Sequence, residues 1–168
     1  MRVFGTVKNS VVDGVGIRYV VFVQGCGHHC KGCHNKGSWD YNGGTEIPPD
    51  MLVTDILNTK LLKGVTFSGG EPFDKVKELG YILQKVKEKH PEYTFWSYTG
   101  YTFEELCKDT ERFEFLKLLD VLVDGEYKEE RREEGLRFKG SANQRLIDVQ
   151  ATLRGMEKGK EGVILYEC

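Results

Sequence analysis

The order of strand-like and helix-like segments along this chain predicts an α/β fold, a partial (open) β/α barrel with parallel strands and outer helices. Three observations carry that expectation. Short runs of β-branched and aromatic residues alternate with amphipathic stretches, the pattern of right-handed strand–helix–strand crossovers. The chain has 168 residues, whereas a complete eight-fold barrel needs about 250. Loops rich in glycine and cysteine fall where the carboxyl ends of successive strands are expected, the rim on which such folds place their sites. One domain over residues 1–168 with a single sizeable core is expected from the length, and an open side can admit something large.

Taken in order, "GIRYVVFVQG" (16–25) is rich in β-branched and aromatic residues and bounded by glycine, which predicts a buried strand. A cysteine-rich loop follows. "PPDMLVTDILNTK" (48–60) opens with prolines suited to a first helical turn and carries Leu52, Ile56 and Leu57 at helical spacing. "GVTF" (64–67) is a second strand and "SGGEP" (68–72) the turn after it. In "FDKVKELGYILQKVKEKHP" (73–91), Val76, Leu79, Leu83 and Val86 line one helix face, and His90 ends the helix before Pro91. "YTFWSY" (93–98) returns to strand, "TFEELCKD" (102–109) and "ERFEFLKLL" (111–119) are helical, and "DVLVDG" (120–125) is strand again. A charged loop leads to two further short strands, "RLIDV" (145–149) and "VILYE" (163–167).

Composition bounds the classes of function to expect. Lys and Arg total 24 against 26 Asp and Glu, a formal charge of −2, so the basic excess of a polyanion binder is missing and no nucleic acid partner is expected. The mixed-sign run "KEERREE" (128–134) predicts a solvated loop or helix face. No apolar run is long enough to span a bilayer, so no membrane partner is expected. "MRVFGTVKNS" lacks a secretion pattern, and a cytoplasmic location follows. Five cysteines, an odd number, argue against a disulfide scaffold. Cys107 sits in a helical stretch as a packing residue, and Cys168 is a terminal thiol.

"GCGHHCKGCHN" (25–35) crowds Cys26, Cys30 and Cys33 together. Clustered thiols in a reducing compartment more often bind metal than fall together incidentally, and two centres fit. A zinc site would take the three thiolates and one of His28, His29 or His34, stabilising an interaction module without catalysis. A four-iron cluster takes one ligand per iron, so three cysteines leave one iron open to a small molecule. In that case the histidines and Asn35 are neighbours that tune the cluster. "SGGEP" reads either as a site loop with close backbone approach or as a plain turn into a helix. Gly14 and Gly16 precede a strand, where a dinucleotide fingerprint would follow one, so they read as a turn.

Spacing, order and loop type together give a resemblance. Cys-x3-Cys-x2-Cys resembles the signature of the radical S-adenosylmethionine enzymes. The longer stretch "DGVGIRYVVFVQGCGHHCKGCHN" (13–35) resembles the activating enzymes of glycyl-radical proteins, with Val15 where those have proline. "SGGEP" matches the family's glycine-rich loop after the next strand. Within the family, "FWSYTGYTFEEL" (95–106) and "VLVDGEYKEERREEGLRFKGSANQRLIDV" (121–149) look like the small activases of anaerobic ribonucleoside-triphosphate reductase. Lyase activases, of the formate-lyase type, are longer and carry Asp-x-Lys where this chain has Asp124-Gly125-Glu126, so a lysine contact is not carried over.

The resemblance implies a 4Fe-4S cluster on Cys26, Cys30 and Cys33 and S-adenosylmethionine as second cofactor, with the barrel of the radical S-adenosylmethionine type. It implies reductive cleavage of the cofactor and removal of a hydrogen atom from a backbone glycine of the reductase catalytic subunit. Another glycyl-radical enzyme as target is the neighbouring alternative. Gly69, Gly70 and Glu71 resemble the loop that receives the cofactor's amino group, and Thr99 with Gly100 borders the cofactor. Asp124 and Asn143 are cofactor-binding candidates; Asp124 as a helix cap, and Ser141, Asn143, Gln144 and Arg145 as loop-backbone partners, are the competing readings. Arg18 is a candidate charge contact, and Trp39 and Tyr41 are candidates to cover the cluster. The resemblance also implies a flavodoxin- or ferredoxin-like electron donor and leaves a homodimer open.

Overall fold

The computed structural model describes residues 1–168. Seven strands build one sheet: β1 (Arg2–Ser10), β2 (Arg18–Val23), β3 (Thr45–Glu46), β4 (Gly64–Gly69), β5 (Thr94–Tyr98), β6 (Val121–Asp124) and β7 (Arg145–Asp148). Their spatial order is β3-β1-β2-β4-β5-β6-β7, and the sheet does not close on itself. Five helices accompany them: α1 (Pro49–Leu57), α2 (Val76–Lys89), α3 (Phe103–Cys107), α4 (Thr110–Leu116) and α5 (Val149–Glu157).

The parallel expectation holds for the four middle strands, β2, β4, β5 and β6. It fails at both edges. β1 runs antiparallel to β2 and to β3, and β7 runs antiparallel to β6. The reason lies in the connections: a parallel neighbour needs a helical crossover, and an antiparallel one does not. Between β6 and β7 the chain makes only a short 3-10 turn at Glu129–Arg131. Two further corrections concern the C-terminal part. "VILYE" makes a single bridge, Ile147 to Leu165, rather than a strand, while the residues after β7 form α5. Asp148 caps α5 by accepting from the Ala151 amide at 3.0 Å.

Strand side chains alternate between the two faces of the sheet, and here the faces have different fates. Tyr19, Val21 and Val23 of β2, Val65 and Phe67 of β4, Phe95 of β5, Leu122 of β6 and Ile147 of β7 join one apolar core with the helices. Against them pack Leu52 and Ile56 of α1, Leu79, Ile82, Leu83 and Val86 of α2, and residues of α3, α4 and α5. The intervening residues face the other side. There Trp96, Val121, Val123 and Leu146 form a smaller cluster with Tyr98, Phe138 and Tyr166. Arg18 lies on that side too, with its guanidinium 5.4 Å from the Trp96 ring. The helix-free face is therefore plugged at the amino ends of the strands and left hollow at their carboxyl ends.

No helix is long and apolar enough to cross a membrane. "KEERREE" is exposed along its whole length, as its charge predicts.

Candidate functional site

β2 runs directly into the cysteine loop, whose two feet are tied together. The Gly25 amide donates to the Ser38 carbonyl at 2.6 Å, and the Cys26 amide donates to the Trp39 carbonyl at 3.2 Å. Buried Gln24 reinforces the closure through Nε2, which donates to the carbonyls of Gly37 and Asp40 at 3.0 and 2.7 Å. Gly25 takes φ +106, and a Cβ there would lie 2.4 Å from the Tyr41 ring. Tyr41 thus clamps the foot of the loop, while its hydroxyl donates to Asp74 at 2.9 Å.

Cys26, Cys30 and Cys33 all line one cavity of about 360 Å³. Burial raises the Cys26 thiol, and burial with the Glu126 charge raises Cys30 to about 11. Metal loading therefore has to displace protons from these thiols. No three His, Cys, Asp or Glu side chains converge on a point where one metal ion would sit. Each histidine near the loop is engaged elsewhere. His28 Nε2 lies 2.8 Å from Glu71 Oε1, His29 stacks on Trp39 at 4.5 Å, and His34 packs against Tyr127 at 5.5 Å. Three thiols lining one cavity are a donor set that fits an iron–sulfur cluster or a zinc ion.

Gly69 and Gly70 line the same cavity, and packing explains why both are glycine. The Gly70 amide donates to the Val23 carbonyl and the Glu71 amide to the Gly25 carbonyl, both at 2.8 Å. A Cβ on Gly70 would stand 2.2 Å from the Gly25 carbonyl oxygen, and Gly69 adopts φ +95 with backbone of β2 against it. The glycine loop therefore lies flush against the start of the cysteine loop. Ser68, Thr99, Gly100 and Gln144 complete that part of the wall. A small polar ligand reaching the thiols would meet backbone there.

Three of the expected cofactor residues do not line the cavity: Glu71, Asp124 and Asn143. Glu71 is 0% exposed and lies behind the wall. Its carboxylate accepts from the Phe73 amide at 2.9 Å, the Gly100 amide at 2.7 Å and the Thr99 hydroxyl at 2.9 Å, besides meeting His28. This hydrogen bond pushes the His28 imidazole upward against the opposing effect of burial. Asp124 accepts from the Phe103 amide at 2.8 Å at the start of α3 and pairs with Arg145 at 2.6 Å. Asn143 donates to the Glu126 carbonyl at 2.8 Å, and its Oδ1 is buried without a partner.

Arg18 requires a correction as a charge contact for the site. It is buried and donates to Thr66 Oγ1 at 2.8 Å, Thr94 Oγ1 at 2.8 Å and the carbonyls of Val15, Val65 and Thr94, so it braces three strands at the plugged end. Ser141 and Gln144 serve loop backbone: Ser141 Oγ accepts from the Lys128 amide, and Gln144 bonds Gly140, Ser141 and Gly125. Trp39 lines the cavity, and its indole N–H is buried without a partner, a donor free for a bound group. Asp13, Tyr98 and Tyr127 also line the cavity and were not expected there. Tyr98 alone had a sequence signal, since it occupies the same strand face as Trp96.

Residues 12–147 match the family model described as a 4Fe-4S single cluster domain. The anaerobic ribonucleoside-triphosphate reductase-activating protein of Vibrio cholerae is 38% identical over 141 residues, covering 80% of this chain and 90% of that protein. The protein of that name from Escherichia coli K12 is 33% identical over 141 residues with the same coverage. The one from Enterobacteria phage T4 is 35% identical over 139 residues, 80% of this chain and 86% of its own. The family-model match spans the thiol loop, the glycine loop and the wall between them, and, with these relatives, the chain belongs to the family of anaerobic ribonucleoside-triphosphate reductase-activating proteins.

Proposed function

We propose that this chain is a radical S-adenosylmethionine activase that installs a glycyl radical in an anaerobic ribonucleoside-triphosphate reductase. The observation that carries the reading is the shared cavity. Three thiols of one loop and the two glycines of the next strand's loop face the same space, in a chain of the activating-protein family. When bound, a 4Fe-4S cluster and S-adenosylmethionine supply reductive cleavage of the sulfonium bond and abstraction of a glycine hydrogen atom. Cys26, Cys30 and Cys33 would hold three irons and leave the fourth for the cofactor's amino and carboxylate groups. Gly69 and Gly70 would admit that end against bare backbone, and Thr99 would border it.

The rest of the chain holds these parts in place. Glu71 joins the glycine loop to the cysteine loop through His28 and to the β5 loop through Thr99 and Gly100. The helix-free side of the sheet, read as a partial barrel in a single domain over residues 1–168, gives a partner's glycine its way in. A flavodoxin- or ferredoxin-like protein of the cytoplasm would deliver the electron.

Anaerobic reconstitution with iron and sulfide tests the class of reaction. The expected product is a brown protein with about four irons and four sulfides per chain. With dithionite it should convert S-adenosylmethionine to methionine and 5′-deoxyadenosine. Stoichiometric zinc without sulfide would overturn the proposal.

A further inference from the structure

The loop that follows β6 returns across the cysteine loop and sets a carboxylate beside a thiol. Glu126 Oε2 lies 3.6 Å from Cys30 Sγ. The position is built, because backbone on each side of Glu126 is held. The Gly125 amide donates to the Tyr101 carbonyl at 2.9 Å, and Gln144 donates to the Gly125 carbonyl at 2.9 Å. Asn143 donates to the Glu126 carbonyl at 2.8 Å. Tyr127 packs on His34, and the Glu129 carboxyl lies where a Cβ on Gly32 would be 2.9 Å away. Glu126 has no salt-bridge partner, although the chain has ten such pairs. Its charge acts on Cys30, and more weakly on His28, with no cation paired to it directly.

From this contact we infer that Glu126 sets the reduction potential of the centre held by Cys30, keeping it low by placing a negative charge against a ligand sulfur. The inference rests on the cluster reading above and adds a residue to it. Reduction brings one electron, here from dithionite, onto a cluster that is already ligated by thiolates, and a nearby carboxylate opposes that added charge. Net charge close to the sulfurs is one of the protein's levers on an iron–sulfur potential. Cleaving a sulfonium demands a strong reductant, so a carboxylate at this place favours the reaction once the electron has arrived. Glu126 is exposed, so water screens it. At about 4 Å in bulk water, one unit charge changes a one-electron reduction equilibrium about fivefold, or ~40 mV.

The test is a set of dye-mediated redox titrations, followed by electron paramagnetic resonance, on reconstituted full-length protein, Glu126→Gln and Glu126→Lys. Iron and sulfide are measured on each sample. The expected result is equal cluster content with midpoint potentials rising in charge order, by about fivefold in equilibrium constant for Gln and about 25-fold for Lys. The shifts should shrink as salt is added. Equal potentials in all three proteins, or the same shift for Gln and Lys, overturn the role of Glu126 and leave the cluster reading standing. A parent protein that assembles no cluster overturns both.

Discussion

Glu71 is the side chain on which most of the site's order depends. Its buried carboxylate meets donors from its own turn, from β5's loop and from the cysteine loop. Replacing it by Gln keeps the volume but turns an amide N–H2 toward groups that also donate. Buried donors left unpaired cost about 1–3 kcal/mol each, so Glu71→Gln should lose about 2–4 kcal/mol of stability, measured by urea denaturation of the apo-protein. A change below about 0.5 kcal/mol would refute the linking role. The thiol and glycine loops were legible in the sequence because each motif is local, and both loops line the one cavity. Glu71's role was not, since His28, Thr99 and Gly100 lie 43, 28 and 29 residues away in the chain. Arg18 was misplaced for the same reason. Only the folded sheet shows that its guanidinium is spent on β4 and β5 rather than on the site.

At the scale of elements, β4 is the strand that sets the geometry, because it joins the cysteine strand to β5 and ends in the glycine loop. It enters the sheet at Gly64, where a Cβ would lie 1.8 Å from the Thr94 carbonyl oxygen and 2.8 Å from the Arg18 guanidinium. Gly64→Ala should therefore force β4 from β5 and destabilise by about 3 kcal/mol. Gly5→Ala in β1, where nothing lies within 4 Å of the new methyl, should stay within about 0.5 kcal/mol. Thermal melts of the two variants side by side check the contrast, and equal melting temperatures would contradict it. Continuous β-branched and aromatic runs made the middle strands legible, and helical spacing of apolar residues did the same for α1 and α2. β1 escaped because most of its residues are exposed, leaving no apolar run to read. α5 escaped because its buried residues include Thr152 and Gly155, small or polar at the positions that would have announced it.

In the whole molecule, the two faces of one open sheet divide the work. Helices and the main core cover one face and give the sheet its rigidity. The other is filled by Trp96, Phe138 and Tyr166 near the strands' amino ends and opens into the thiol-lined cavity at their carboxyl ends. The α/β class and the rim on which the site lies were legible from the order of segments. The antiparallel edges were not, because pairing direction at an edge depends on which strand finds which. On the proposed function, that one hollow face is where a partner's backbone glycine would enter. The most direct measurement mixes the reconstituted, reduced protein with S-adenosylmethionine and an anaerobic ribonucleoside-triphosphate reductase, and records the electron paramagnetic resonance spectrum. The account predicts a glycine-centred radical on the reductase that needs S-adenosylmethionine and vanishes with Cys30→Ala. A reductase that stays silent while a formate-lyase type enzyme gains the signal would contradict it.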